Sequence, residues 1–465
     1  MLKKTENVPK EIIEALVILY NEEKFEQIIS KKKELVELCA ESFLFFKLIG
    51  SSYLELKQFK KAIYNFKQAI QINPNDNLLY YNLGLAFHLD GNLDEALINY
   101  KKVLKFKHDN AEVYNNISII YKEKNNLNES LFFIEEAIKI KPNSANFYNN
   151  KAVLLKEIGD QELAIKNYEL AIKFFPNYLE AYCNLANIQR DMGRLNDSIK
   201  NSNKALKIDP NCIEAYFNLG MSKKILGDIK KASQCFKKVI ELKNDHHTAL
   251  HMLNSIEGTT TNSYSQIYIS KLFDSYAKNF NKSLVNSLGY NIPNKIAKIL
   301  ISNSFKPLGS ILDLGCGTGL VGEGLEKNYN YLEGVDISEK MIEEAYKLKI
   351  YDKLCHYDII EYLKTKTLKF DLFIAADVFT YIGELKKIFN LIKCRNKKNG
   401  KLIFTTEHND KQNFKLEMSG RFSHSYNYIE SLCKLFDYDI VYFKKVKLRK
   451  EIGEYLIGGL YILKF

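Results

Sequence analysis

The sequence predicts two modules of different class, an all-α solenoid of helical repeats followed by an α/β doubly wound sheet domain. Three observations carry this. Small residues recur every 34 positions through the first half, and that period is lost after residue 257. From residue 311 onward, short apolar runs alternate with amphipathic stretches, the first run ending in a glycine-rich turn. With 465 residues, 46% hydrophobic and 26% charged, the chain is long enough for two such modules with buried cores. The composition excludes disorder and collagen-like structure. No stretch approaches the ~18 consecutive apolar residues of a membrane span. The start, Met1-Leu2-Lys3-Lys4-Thr5-Glu6-Asn7, has no apolar run behind its lysines, so a cytoplasmic protein without membrane association is expected.

The repeat is read in a register starting at 43, 77, 111, 145, 179 and 213. Its eighth position holds Gly50, Gly84, Ser118, Ala152, Ala186 and Gly220, and its twentieth Ala62, Ala96, Ser130, Ala164, Ser198 and Ala232. The twenty-seventh holds Ala69, Val103, Ala137, Ala171, Ala205 and Val239. Small side chains at fixed phases are what two helices need where their backbones approach closely. The fifteenth position, Gly91, Asn125, Gly159, Gly193 and Gly227, supplies residues that tolerate a left-handed turn at a helix end. Pro74, Pro142, Pro176 and Pro210 follow the second helix and block its continuation. This pattern resembles the tetratricopeptide repeat, a helix–turn–helix unit. The resemblance implies a superhelix over residues 9–257, about seven repeats of which the first is degenerate, retaining Tyr20 and Phe25 as its cap. A polar stretch at 258–265 reads as a linker, and residues 266–465 as the second domain.

The fourth position of the repeat is aromatic, from Phe46 and Tyr80 to Tyr216, which inter-repeat packing explains. The sixth holds Asn82, Asn116, Asn150, Asn184 and Asn218. An amide offers both a donor and an acceptor, so a row of them can pair with the backbone of an extended peptide. The repeats of protein O-linked N-acetylglucosamine transferases are similar, and there such a ladder holds the substrate chain. A protein or extended peptide is therefore the expected partner of the repeats; an Asn-rich composition filling a tolerant position is the plain alternative.

Net charge is +11, but the lysines are dispersed rather than gathered into a stripe, and nucleic acid is not an expected partner. The 8 cysteines, Cys39 to Cys433, show no CxxC pairing. They read as reduced thiols rather than disulfides or a metal site.

In the second half, Ile311–Leu314, Tyr331–Val335, Phe370–Ala376 and Lys401–Thr405 read as buried strands, with Glu339–Lys349 and Glu384–Lys393 as helices between them. Residues 266–301 read as helical, and 438–444 with 455–463 as a closing antiparallel pair. The first strand runs into Asp313-Leu314-Gly315-Cys316-Gly317-Thr318-Gly319. Glycines there let backbone approach a ligand, and the following helix offers unpaired amides. Seventeen residues past Gly319 the next strand ends in Asp336, an acid suited to both hydroxyls of a ribose. A dinucleotide site has Gly-x-Gly-x-x-Gly; Gly-x-Gly-x-Gly two residues after an Asp resembles class I S-adenosylmethionine-dependent methyltransferases. The resemblance covers about residues 265–465. It implies S-adenosyl-L-methionine as cofactor, with Asp313, Gly315, Cys316, Gly317 and Gly319 at its methionine end. Asp336 would take the ribose, Ile337 and Met341 the adenosine, Asp358 and Ile359 the adenine, and Asp377 would line the transfer face. Tyr276, in the helical stretch Phe273–Phe280, resembles the lid aromatic of such enzymes, although packing at i, i+4 would explain Tyr276 and Phe280 equally.

Methyl transfer requires alignment of a nucleophile more than acid–base work. Candidates for contact with the acceptor are Asp377, Tyr381, Arg421 and His424, with His408 behind them; Arg421 could anchor an anionic acceptor. Where amide- and adenine-nitrogen methyltransferases commonly show Asn/Asp-Pro-Pro-Tyr/Phe, this chain has Asp377-Val378-Phe379-Thr380-Tyr381. A hydroxyl or carboxyl oxygen, an amine or a carbon stays open as acceptor. No metal is expected. Two other readings stand beside a methyltransferase fed by its repeats: an interaction scaffold with a vestigial or regulatory cofactor domain, and a small-molecule O- or C-methyltransferase.

Overall fold

The computed structural model describes residues 10–262, 266–277, 280–281, 285, 288–302, 308–365, 369–411, 413–451 and 454–465. The chain falls into two compact units, 1–210 and 211–465.

In the first unit the repeats are antiparallel helix pairs: Phe43–Glu55 with Phe59–Ile72, Asn77–Leu89 with Leu93–Phe106, Ala111–Glu123 with Leu127–Ile140, Ala145–Ile158 with Gln161–Phe174, and Leu179–Asp191 with Leu195–Ile208. Within each pair, the fifteenth-position residue makes the turn. Gly91, Asn125, Gly159 and Gly193 all have positive φ. In two of the pairs the next residue then caps the second helix, Asn92 accepting from the Glu95 amide and Asp160 from that of Leu163. The eighth position is small because an aromatic ring lies against it: a Cβ on Gly50 or Gly84 would meet the ring of Phe66 or Tyr100 at 2.8–2.9 Å. Where that position is Ser118, it bonds back and forth with Ser130 across the pair. The leading copy is irregular, with helices Lys10–Asn21, Phe25–Ser30 and Lys32–Leu35, and Tyr20 packs edge-on against Phe25.

The second unit begins with the last repeat pair, Ile213–Ile225 and Ile229–Leu242, and one further helix, His247–Glu257. Its centre is a mixed sheet, nine-stranded among the described residues. Strands β1 (Ser310–Leu314), β2 (Tyr331–Asp336), β3 (Lys353–His356), β4 (Phe370–Ala375) and β5 (Asn396–His408) run parallel in the order 3-2-1-4-5. A short hairpin, β6 (Phe414–Leu416) and β7 (Phe422–His424), joins the end of β5. The long antiparallel pair β8 (Asp439–Glu451) and β9 (Glu454–Lys464) closes the far side, β9 pairing with β5. Apolar residues cover both faces, as a doubly wound sheet requires. Strand order reverses between β1 and β4, so a crevice opens beyond their carboxyl ends.

Three expectations change here. The helical reading of 266–301 breaks: helices span Gln266–Tyr276 and Ile292–Ser302, and Gly289 (φ 65°) leads a non-helical Tyr290-Asn291 between them. β5 is far longer than 401–405, because β9 extends its pairing to Glu407. The 258–262 stretch is pinned rather than loose: the Asn262 carbonyl accepts from the Gly383 and Glu384 amides, and Thr260 Oγ1 accepts from the Leu416 amide. Ser263 of the expected linker, Lys278 and Asn279 of the expected lid, and Leu284, Asn286 and Ser287 beyond it lie outside the described residues. Among the described residues, no helix is long and apolar enough to cross a membrane.

Gly84→Ala should destabilise the repeats by about 1–3 kcal/mol through overpacking against Tyr100. Adding Tyr100→Leu should return part of that loss. Thermal midpoints followed by far-ultraviolet circular dichroism check both; additive losses in the double variant would refute the packing account.

Candidate functional site

The turn after β1 is fastened to β2. The Gly315 and Cys316 amides both donate to the Val335 carbonyl, and the Gly317 amide donates to Asp336 Oδ2 at 2.8 Å. The turn's glycines serve different ends. A Cβ on Gly315 would strike Val378, and one on Gly319 would strike Leu348 and approach Tyr351. Tyr351 also presses on Gly322 and Gly334, at 2.9 Å from a Cβ at either. Three glycines thus make a slot for one ring, whose hydroxyl donates to Asp313 Oδ2 at 2.7 Å. Only at Gly317 does a Cβ meet nothing closer than a Phe280 ring atom at 4.0 Å. The open side of the turn is there.

That side faces a cavity of about 580 Å³, within the usual range for small-ligand sites. The expected residues Gly315, Cys316, Gly317, Asp336, Ile337, Met341, Asp358, Ile359, Asp377, Tyr276, Tyr381 and Arg421 all line it. Asp336 sits at the end of β2, with Oδ1 accepting from the Ser338 amide. Burial pushes its carboxyl above the usual range, against the pull of its backbone hydrogen bonds. Asp358 caps helix Ile359–Leu363 through Oδ1 alone, accepting from the Ile360 and Glu361 amides. The helix Gln266–Tyr276 is anchored over the site by Asp274, which accepts from the Ser338 hydroxyl, while Asn281 accepts from Thr318. Phe273 of that helix meets Tyr381 edge-on.

At the other end lies a charge cluster drawn from four separate segments. Arg449 of β8 donates to both Asp377 and Glu407 of β5, and Arg421 Nε donates to Glu407 at 2.7 Å. Asp377 has a left-handed backbone, φ 61°, held by its amide's bond to Thr405. Its Oδ1 is buried and has no hydrogen-bond partner among the described residues. Tyr381 is pushed up to about 12, chiefly by burial, so its hydroxyl stays protonated at neutral pH.

Several expectations are corrected. Asp313 and Gly319 do not line the cavity; Asp313 is fully buried beneath the turn. His424 is no base: it is enclosed, donates through Nε2 to the Gly383 carbonyl, and is pushed down to about 4 by burial. His408 points to Asp410 outside the cavity. Arg421 is committed to Glu407, so its charge is already answered within the protein and the anion-anchor role loses its basis. Sequence reasoning missed Arg449, Glu407, Tyr351 and Tyr290. Tyr290 is a buried phenol on the cavity wall. The spacing of small residues around Tyr351 was the one available signal.

The asparagine ladder exists, but its amides largely face one another. Asn150 Nδ2 donates to Asn115 Oδ1 at 2.8 Å, Asn184 Nδ2 to Asn149 Oδ1, and Asn116 Nδ2 to the hydroxyls of Tyr81 and Tyr100. Asn82, Asn116, Asn150 and Asn184 remain half-buried, whereas Asn218 is buried. Among the described residues no group of His, Cys, Asp and Glu is placed to hold a metal ion.

Comparison with known proteins fits this division. A methyltransferase-domain family model matches residues 306–451. Tetratricopeptide-repeat models match 50–91, 79–110, 111–144, 133–166, 186–224 and 213–246. An uncharacterized methyltransferase of Schizosaccharomyces pombe is 26% identical over 172 residues, 32% of this chain and 61% of its own. The ubiquinone biosynthesis O-methyltransferase of Coxiella burnetii is 31% identical over 99 residues, 21% of this chain and 42% of its own. The chain therefore spans less than two thirds of these relatives. Among solved structures, YrrB, described as a TPR protein with an unusual peptide-binding site, is 23% identical with a TM-score of 0.34, over 40% of this chain and 96% of its own. MamA is 26% identical with a TM-score of 0.33, over 35% and 95%.

Burial pushes the Asp313 carboxyl up to about 7, above its ordinary unfolded value of about 3.9. Its protonated form thus favours the folded state. That contribution is complete below about pH 4 and is lost as pH rises through 7. Asp313→Asn should flatten the fall of the melting midpoint between pH 4 and 7; an unchanged slope would remove Asp313 as its source.

Proposed function

We propose that this chain, in which tetratricopeptide repeats precede a methyltransferase domain, transfers the methyl group of S-adenosylmethionine to an acceptor bearing an N–H or O–H. The observation that carries this is Gly317: of the turn's three glycines, it alone has its Cβ direction open, and it faces the cavity beside Asp336. Residues around it fit the cofactor. Asp336 is placed for ribose hydroxyls, Asp358 and Ile359 for an adenine edge, and Met341 with Ile337 for the purine faces. The two arginines on the wall are answered by Asp377 and Glu407, leaving Asp336 and Asp358 as the acids at the turn end. A cationic ligand suits that balance.

When bound, the sulfonium supplies a methyl group on an already activated leaving group. The chain's part is then orientation and exclusion of water. Asp377, at the end of β4, is held by Arg449 and keeps one buried carboxylate oxygen free of partners. That oxygen accepts a hydrogen bond from the acceptor's N–H or O–H and fixes its lone pair toward the turn. It also takes up the proton the acceptor loses as its new bond to the methyl group replaces the sulfur–methyl bond, with S-adenosylhomocysteine as the leaving group. Tyr381, still protonated, donates on the same wall. The repeats recruit a protein partner. The half-exposed Asn82, Asn150 and Asn184 support an extended peptide. The amides of Asn150 and Asn184 each donate once along the stack and carry a second N–H, whereas Asn116 commits both of its own to Tyr81 and Tyr100.

Calorimetry should register S-adenosylmethionine binding, and Asp336→Ala should weaken it ~10–100-fold, about 1.4–2.8 kcal/mol. Asp377→Asn should leave affinity within ~3-fold while lowering label transfer from radioactive cofactor into a host lysate by at least ~10-fold. No heat at millimolar cofactor would leave the scaffold reading in its place.

Replacing Asn116, Asn150 and Asn184 together with Ala should lower the repeats' melting midpoint, because their inter-repeat bonds are worth about 0.5–1.5 kcal/mol each. The same variant should lose affinity for any protein labelled in that lysate. Retained affinity would remove the asparagines from partner binding.

A further inference from the structure

The last repeat does more than end a solenoid. Met221 of helix Ile213–Ile225 and Met252 of helix His247–Glu257 line the same cavity as Gly317 and Asp377. Met252 is 3% exposed, and Lys224 Nζ lies 3.2 Å from its sulfur. Its neighbour His251 is buried and donates through Nε2 to the Gly420 carbonyl at 2.8 Å, with its ring against Phe422. Gly420 sits at φ 90° in the turn between β6 and β7, where the Gly420 amide donates to the Glu417 carbonyl and the Glu417 amide to that of Arg421. The same turn delivers Ser419 and Arg421 to the cavity wall. A repeat helix is therefore fastened to the segment that completes the site.

The phase is informative. Positions five and six of the repeat hold Asn115-Asn116 and Asn149-Asn150 in earlier copies; the same positions of the terminal helix hold His251 and Met252. Where other copies carry an amide seam, this one carries a thioether on the cavity wall. Ile269, Leu272 and Phe273 line the same cavity as the two methionines, and together they give it an apolar, adaptable lining.

Resting on the methyltransferase reading, we infer that the terminal repeat forms the wall of the acceptor compartment, with Met221 and Met252 as specificity-determining residues. They select an acceptor whose O–H or N–H is carried on an apolar body, of the kind a phenol represents. A small hydrophilic amine or alcohol has no apolar body to set against the two thioethers.

The chain contains no tryptophan, so Met221→Trp and Met252→Trp each place a single reporter there. Leu226→Trp, at an exposed position of the same repeat outside the cavity, is the control. S-adenosylhomocysteine, its binding verified separately by calorimetry, should change the emission of both reporters and leave the control unmoved. With that probe bound, 4-methylphenol should produce a saturable further change at 221 or 252, and ethanolamine none. Reporters silent to bound S-adenosylhomocysteine overturn the placement. Silence toward 4-methylphenol, or a response to ethanolamine instead, overturns the acceptor class. Absence of S-adenosylhomocysteine binding to the unsubstituted chain would instead count against the methyltransferase reading. Two reporters are used because either tryptophan alone could disturb folding, which circular dichroism detects.

Discussion

The bond between Tyr351 and Asp313 is the constraint on which the site depends. Asp313 is fully buried under the turn that follows β1, and a buried carboxyl without a partner is costly. Its partner arrives from outside the turn, as a phenol threaded through a slot that exists only because residues 319, 322 and 334 lack side chains. With the ring in place the turn cannot collapse toward the sheet. Its middle is then held outward by the Gly317 amide's bond to Asp336. The opening at Gly317 follows from packing on the opposite side of the turn. Burial is why Asp313 leans toward its neutral form: it outweighs the Tyr351 hydrogen bond, and the nearby Asp336 adds to it in the same direction.

A second polar knot fixes the far end of the cavity. Asp377, Arg449, Glu407 and Arg421 alternate in sign, and all but Arg421 and Asp377 are almost wholly enclosed. Buried pairs of this kind contribute little net stability, because the desolvation cost consumes most of the attraction. What they contribute is direction. Arg449 occupies one oxygen of Asp377, and a left-handed backbone with its amide on Thr405 sets the other. The result is a carboxylate whose remaining acceptor capacity is aimed rather than free to rotate. The same knot ties β4, β5, β8 and the β6–β7 turn together, so this end of the cavity is held to the sheet that bears it.

Much of this was legible in sequence, and the misses share a cause. The turns at Gly91, Asn125, Gly159 and Gly193 could be assigned because their left-handed φ is a local property of a residue and its phase. The strand ends at Asp313 and Asp336 could be assigned for the same reason. Arg449 could not: it lies 72 residues from Asp377, and no local pattern marks it among the lysines of β8. His424 misled because a histidine near an arginine looks like chemistry until the Gly383 carbonyl and complete burial are seen. The glycines of the β1 turn were assigned to ligand approach as a set. Only Gly317 answers to that; Gly315 yields to Val378, and Gly319 to Leu348 and Tyr351. One composition thus served two unrelated steric needs.

A regular period also conceals where a repeat stops being generic. Every copy keeps its small residues at the helix contacts, because stacking imposes the same geometry on all of them. The exposed phases obey no such requirement, and they are free to change where the surroundings change. Asn116, Asn150 and Asn184 at the sixth position are each stabilised by an amide or a phenol in the first helix of the preceding repeat. Met252 at that phase lines a cavity instead, where a flexible apolar side chain can adapt to what fills it. The departure from the repeat's own pattern is therefore the informative position. In a repeat array joined to an enzyme domain, the copy whose polar phases turn apolar is the one to examine as part of the catalytic fold. The boundary after Pro210, which groups this copy with the sheet, runs in the same direction.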